Sequence, residues 1–196
     1  MEREILLPFK KHIDNLVPIT NEIWNEIEVL LKPRKLERNE NIVKEHQKFN
    51  KEIFVQSGVI RGFYCSETGE EINAVFYSDN DLVCPHFART AKGQSNINLQ
   101  AITPTVIFEI EQDIMKTLRH KYIELIYYSS LVVENELKKK TQYEIFLLIK
   151  DAKERYKRFK EMYPDLENKI SQFQIASFLR ITPVSLSRLR KRMLKK

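Results

Sequence analysis

The chain has 196 residues, 42% hydrophobic and 31% charged, with four Gly, seven Pro and two Cys. That composition suits a globular protein with an unaided core and excludes collagen-like, low-complexity and disulfide-framework classes. The net charge of +6 is uneven: residues 1–148 carry 19 Lys/Arg against 22 Asp/Glu, whereas residues 149–196 carry 14 against 5. A basic end on a mildly acidic body points to an anionic polymer as partner.

In chain order, residues 1–32 read as helical. Asn21 is the expected cap of a helix through Ile23, Trp24, Ile27, Val29 and Leu30, with Pro33 as its stop. The start, Met1-Glu2-Arg3-Glu4, leads into no long apolar stretch. No run approaches the roughly 20 residues that span a bilayer, so a cytoplasmic chain without a membrane partner is expected. From Lys35 to about Ile110, short β-branched and aromatic runs alternate with turns such as Ser57-Gly58, Thr68-Gly69 and Ser78-Asp79-Asn80. Many short, evenly punctuated strands predict a β-barrel or jelly roll.

Helix returns at Glu111. Ile123, Ile126, Ser130, Val133 and Leu137 step by 3, 4, 3 and 4 residues, the spacing of a dimer seam. Lys138-Lys139-Lys140 is the expected hinge, followed by a second helix from Tyr143 to Met162. Ser171-Gln172-Phe173-Gln174 has the form of a capping box, and Phe173, Ala176, Phe178 and Leu179 supply its apolar contacts. Arg180-Ile181 forms a turn, and Thr182 caps a helix that begins with Pro183. Leu186 and Leu189 would face inward there, leaving Ser185, Ser187, Arg188, Lys191 and Arg192 outward. Two short helices with a tight turn and a basic outer face form a helix-turn-helix suited to the major groove. Arg188 is the candidate for base readout. Ser171, Gln172, Thr182, Val184, Ser185, Ser187, Lys191 and Arg192 complete the expected DNA surface, mostly through phosphates.

Enzyme chemistry finds no foothold. His12, His46, His86 and His120 are scattered, and no Gly-x-Ser-x-Gly, phosphate-binding loop or His-Glu-x-x-His is present. Two cysteines cannot hold an iron–sulfur cluster alone. His86 and His120 are better read as ordinary residues than as haem ligands, and Cys84 as a buried inert thiol. No metal and no cofactor are expected.

The segments Glu154-Arg155-Tyr156, Tyr163-Pro164, Ile175-Ala176-Ser177-Phe178-Leu179 and Ile181-Thr182-Pro183-Val184-Ser185-Leu186-Ser187-Arg188 resemble the Crp/Fnr family of bacterial transcription regulators. A second match runs from Phe54 to Arg61, through Thr68-Gly69-Glu70-Glu71 to Asn80-Asp81-Leu82-Val83. The resemblance covers the chain from about residue 20 onward. It implies an α+β fold: an N-terminal β-barrel (a double-stranded β-helix, or jelly roll), a long dimerisation helix, and a winged-helix-like helix-turn-helix domain. The expected divisions are a sensor at 1–118, a dimerisation helix and hinge at 119–141, and a DNA-binding domain at 142–196. Expected partners are double-stranded DNA, a second copy of the chain and RNA polymerase.

The effector pocket departs from the family's pattern. Where cyclic-nucleotide receptors carry Gly-Glu, this chain has Cys84-Pro85, and the phosphate-binding Arg position falls at Ser95, followed by Asn96. Arg89 and Lys92 stand at the wrong register. A cyclic phosphate would lose its charge partner, so standard cAMP or cGMP binding is not expected. The resemblance places the pocket at Cys84, Pro85, His86, Phe87, Ser95, Asn96, Ser129 and Ser130, with its effector unknown. The competing reading is a sensor or adaptor module that acts through protein contacts.

Overall fold

The computed structural model describes residues 2–83 and 92–194. Two helices open the chain: α1 (Glu2–Leu16) and α2 (Asn21–Glu28). The cap of α2 is Thr20, whose hydroxyl accepts from the Ile23 N–H at 3.3 Å, and Asn21 is already inside the helix. The helix ends at Glu28, and Pro33 lies instead in a strand.

Eight strands follow: β1 (Lys32–Leu36), β2 (Asn41–Val43), β3 (Lys51–Ser57), β4 (Ile60–Cys65), β5 (Glu71–Tyr77), β6 (Leu82–Val83), β7 (Asn98–Ala101) and β8 (Thr105–Glu111). They form two antiparallel four-stranded sheets, β1-β8-β3-β6 and β2-β7-β4-β5. The expected barrel is thus a jelly roll whose sheets do not close on each other. Strand β1, with its three basic residues, hides in a polar sequence. Its Pro33 is tolerated because β1 lies at a sheet edge.

Alternation along the strands builds two cores. In β3, Ile53 and Val55 point between the sheets, with Ile60, Val75, Tyr77, Leu99 and Ile107. Phe54 points the other way, with Phe108 of β8, into a cluster with Phe9, Ile13, Trp24, Leu125 and Tyr128 from the covering helices. A strand buried on both faces loses its apolar–polar alternation.

The chain continues through α3 (Gln112–Lys121), α4 (Ile123–Leu148), α5 (Ala152–Met162), α6 (Leu166–Lys169), α7 (Gln172–Leu179) and α8 (Pro183–Leu194). The three lysines 138–140 do not break α4, which runs 26 residues, about 39 Å. Lys138 pairs with Glu134 one turn back, and Lys139 reaches both Glu136 and Asp81. Lysine is a good helix former, so a charge run need not be a hinge. The break comes at 149–151, where Asp151 caps α5 and Arg155 donates to the Ile149 carbonyl at 2.7 Å. Where a winged helix would place strands between α5 and α7, the described residues form the short helix α6.

A third core joins the helical domain to the roll. Phe146, Tyr156, Phe159, Ile175, Phe178, Leu179 and Leu186 pack with Phe76 of β5 and with Val59 and Ile102, which lie just before β4 and just after β7. Among the described residues no helix is long and apolar enough to cross a membrane.

Candidate nucleic-acid interface

The turn between α7 and α8 is closed by hydrogen bonds of a Schellman motif: Arg180 N–H to the Ser177 carbonyl at 3.2 Å and Ile181 N–H to the Ala176 carbonyl at 3.1 Å. Arg180 holds the left-handed position, φ 56°, that glycine usually fills. Ser171 caps α7 through the Gln174 N–H at 3.4 Å. The Gln174 side chain does not complete the box. It turns to Asn73 and Arg61 of the sheet instead. Phe173, expected to pack inward, is exposed, and Ile175 takes the buried place.

Thr182 accepts from the Ser185 N–H at 3.1 Å and donates to its hydroxyl at 2.9 Å, so α8 starts with a side-chain cap and Pro183. Leu186 is fully buried, and Leu189 packs at the edge of the same core. That fixes the roll of α8 about its own axis. Thr182, Val184, Ser185, Arg188, Lys191 and Arg192 lie exposed, with Ser187 half-buried, and Ser171 and Gln172 are exposed at the start of α7. The expected DNA residues therefore lie at the start of α7 and on α8, open to solvent. Among the described residues, none forms an ion pair with Arg188, Lys191 or Arg192.

Arg190, the fourth basic residue of α8, does something else. Its guanidinium donates to the Tyr156 hydroxyl at 3.0 Å and pairs with Glu167 at 2.9 Å, while Tyr156 donates to Glu167 at 2.5 Å. Burial, with the Glu167 carboxylate beside it, raises the Tyr156 phenol. This triad ties α8 to α5 and α6. The sequence signal was present in Tyr156 and Arg190, but nothing in their spacing pairs residues 34 apart.

The residues expected to form a dimer seam also share one face of α4. Ile123, Ile126, Val133 and Leu137 are 60%, 49%, 43% and 61% exposed. Ser130 lies among them, its hydroxyl donating to the Ile126 carbonyl. The opposite face of α4, with Leu125, Tyr128, Val132 and Phe146, is buried.

The expected effector residues are scattered in role. Cys84, Pro85, His86 and Phe87 lie outside the described residues. Ser95 is fully buried, with its hydroxyl donating to the Ile97 carbonyl at 2.6 Å, while Asn96 is exposed. Ser129 donates to the Leu125 carbonyl and accepts from Arg119, which also clamps the buried Glu52 with both carboxylate oxygens. Ser95 and Ser129 thus have internal structural partners. No grouping of three or more metal-ligating side chains occurs among the described residues.

The chain has the fold of the Crp/Fnr regulators. It superposes on FixK2 from Bradyrhizobium japonicum with a TM-score of 0.75 and 16% identity, covering 84% of this chain and 85% of that one. The c-di-GMP-responsive global regulator CLP of Xanthomonas campestris gives 0.69 and 12%, over 90% and 92%. A protein of Eubacterium rectale assigned to the Crp/Fnr family of transcriptional regulators gives 0.68 and 17%, over 90% and 85%. No protein-family sequence model matches the chain, and no curated protein does either. At such identities the Crp/Fnr likeness is one of architecture: jelly roll, long helix and C-terminal helix-turn-helix in the same order.

Proposed function

We propose that this Crp/Fnr-fold chain is a sequence-specific DNA-binding transcription regulator that acts as a homodimer in the cytoplasm and does not respond to cAMP in the standard way. The observation that carries the reading is α8: capped at Thr182, anchored by Leu186, and presenting Arg188, Lys191 and Arg192 to solvent. Arg188 has the reach for guanine O6 and N7, and the remaining exposed hydroxyls and lysine suit phosphate oxygens. The apolar face of α4 supports a parallel two-fold seam, because four large side chains there stay 43–61% exposed in one copy. A two-fold dimer reads half-sites about one helical turn apart. RNA polymerase is the partner such a regulator would address. The roll's interior is packed with apolar side chains, and Ser95 is held by internal partners, which supports an unconventional effector or none.

Selection of bound duplexes from a random library, with purified protein, no added ligand and a salt series, tests the reading. A two-fold symmetric motif is the expected product. Binding that is motif-free and purely salt-controlled, with and without added small molecules, would refute a sequence-specific regulator. Failure to bind any duplex would favour an adaptor that works through protein contacts.

A further inference from the structure

The outer face of the β2-β7-β4-β5 sheet holds a buried polar cluster at its contact with α7. Arg61, on β4, is 3% exposed and Asn73, on β5, is fully buried. The Arg61 guanidinium lies 3.9 Å over the Phe63 ring. It donates to Gln100 at 2.6 and 2.9 Å, to Glu71 at 2.5 Å, and to Asn73 and Gln174 at 3.3 Å each. The Asn73 amide donates to the Gln174 side-chain oxygen at 2.7 Å and to its carbonyl at 2.9 Å. A register shift opposite Gly62 and Phe63 puts an extra residue in β5, and bulges free main-chain groups from the ladder. There the Asn73 N–H donates to the Ser177 hydroxyl, which in turn donates to the Glu71 carbonyl at 2.8 Å.

Gln174 and Ser177 are therefore bound to the sheet, one turn apart on the same side of α7. Gln172 and Phe173 on the other side, and the DNA-facing residues of α8, stay open. The contact leaves the DNA surface free and fixes its orientation. Apolar packing around Phe76 is non-directional and would tolerate small slips. A buried guanidinium and amide do not, because a slip leaves them without partners. The α4 helix joins the same assembly, since Tyr143 and Phe146 stack near Phe178. The placement of α7 thus sets the placement of α8 relative to the dimer seam.

We propose that Arg61, Asn73, Gln174 and Ser177 are positioning residues that lock the helix-turn-helix to the sensor sheet and so fix the distance between the two recognition helices of a dimer. The inference rests on the DNA-binding reading above. It assigns the sheet face a role in choosing operator spacing, separate from any effector.

The test is the double variant Gln174→Ala/Ser177→Ala, which removes the helix side of the lock and leaves Arg61 with Gln100 and Glu71. Binding is measured to duplexes carrying one selected half-site, and two half-sites with the spacer varied by single base pairs. The variant is expected to bind one half-site within about twofold of the parent, while its preference for the best spacer falls roughly tenfold, the scale of one or two neutral hydrogen bonds. Tryptic cleavage after Lys150, in the link between α4 and α5, is expected to quicken in the variant without any DNA present. An unchanged spacer preference, or tighter binding at the best spacer, overturns the proposal, and so does an unchanged cleavage rate. A parent that binds no duplex at all removes the DNA reading and this inference with it, a result told apart by the half-site measurement on the parent.

Discussion

Among the described residues, Phe76 is the one aromatic of the β2-β7-β4-β5 sheet that enters the core of the helical domain, and Phe76→Ala is the sharpest probe of that union. The side chain is 2% exposed, with ring centroids 5.5 Å from Tyr163, 5.5 Å from Phe178 and 6.4 Å from Phe159. Its own N–H donates to the Tyr163 hydroxyl at 3.4 Å. Truncating a buried Phe costs about 3–5 kcal/mol, part transfer and part cavity. Against a total stability of about 5–15 kcal/mol for a domain, that is a large fraction. Because the cavity opens between two units, the cost should fall on their coupling. The single tryptophan, Trp24, lies on α2 and is buried in the core shared with α1 and the β1-β8-β3-β6 sheet. Its fluorescence follows the jelly roll during urea unfolding, while far-UV circular dichroism follows all helices. In the parent the two transitions should coincide. In Phe76→Ala the dichroism transition should move to lower urea and separate from the fluorescence, and Phe76→Leu should restore more than half of the loss. One coincident transition with a loss below about 1 kcal/mol would refute the reasoning, because a collapsible surface site costs no more than that.

Three further predictions follow from single sites. Arg180 sits in the left-handed region at φ 56°, so Arg180→Gly should raise stability by about 1 kcal/mol, read as a higher melting temperature; destabilisation would mean that the Arg180 side chain holds the turn. Burial keeps His12 below the ordinary imidazole value of 6.5, with Asp81 opposing and Lys139 assisting. The folded state then binds fewer protons than the unfolded one as pH falls through that value, so stability is lost on the acid side. His12→Gln should shrink the drop in urea midpoint between about pH 7 and about pH 5.5; since burial raises Glu136 and pulls the other way, the difference between parent and variant is what counts, and equal drops would refute the effect. Leu137→Asp, which puts like charges face to face in the seam, should weaken dimerisation at least about a hundredfold in sedimentation equilibrium, the loss of two half-buried leucines; an unaltered dimer would place the interface elsewhere.

Local chemistry was legible without coordinates wherever neighbours in sequence settle the matter. Ser171, Thr182 and Pro183 mark helix starts because a cap bonds to residues three ahead. The 3–4 step of Ile123, Ile126, Val133 and Leu137 puts them on one face of α4 by local geometry alone, and all four lie exposed. Seven of the strands could be read from β-branched runs. Strand β1 could not, since its Lys-Pro-Arg-Lys-Leu sequence is held by pairing with β8, some seventy residues away. Lys138 and Lys139 stay helical because Lys138 pairs with Glu134 one turn back and Lys139 with Asp81, a residue of the roll 58 positions away in sequence that the local run does not show.

The sequence by itself determined the succession of short strands, long helix and paired C-terminal helices, the basic face of α8, and which residues stand at Cys84-Pro85 and Ser95, all of which depend on residue identity at short spacing. Only the tertiary structure decided that Gln174 turns from its capping box to Arg61, that Phe76 completes the core of the helical domain, and that Arg190 faces Tyr156 and not solvent. Those outcomes are set by buried groups finding partners 34 to 113 positions away in the chain, and a free-energy cost of that kind exists only once the surfaces have closed and water has left.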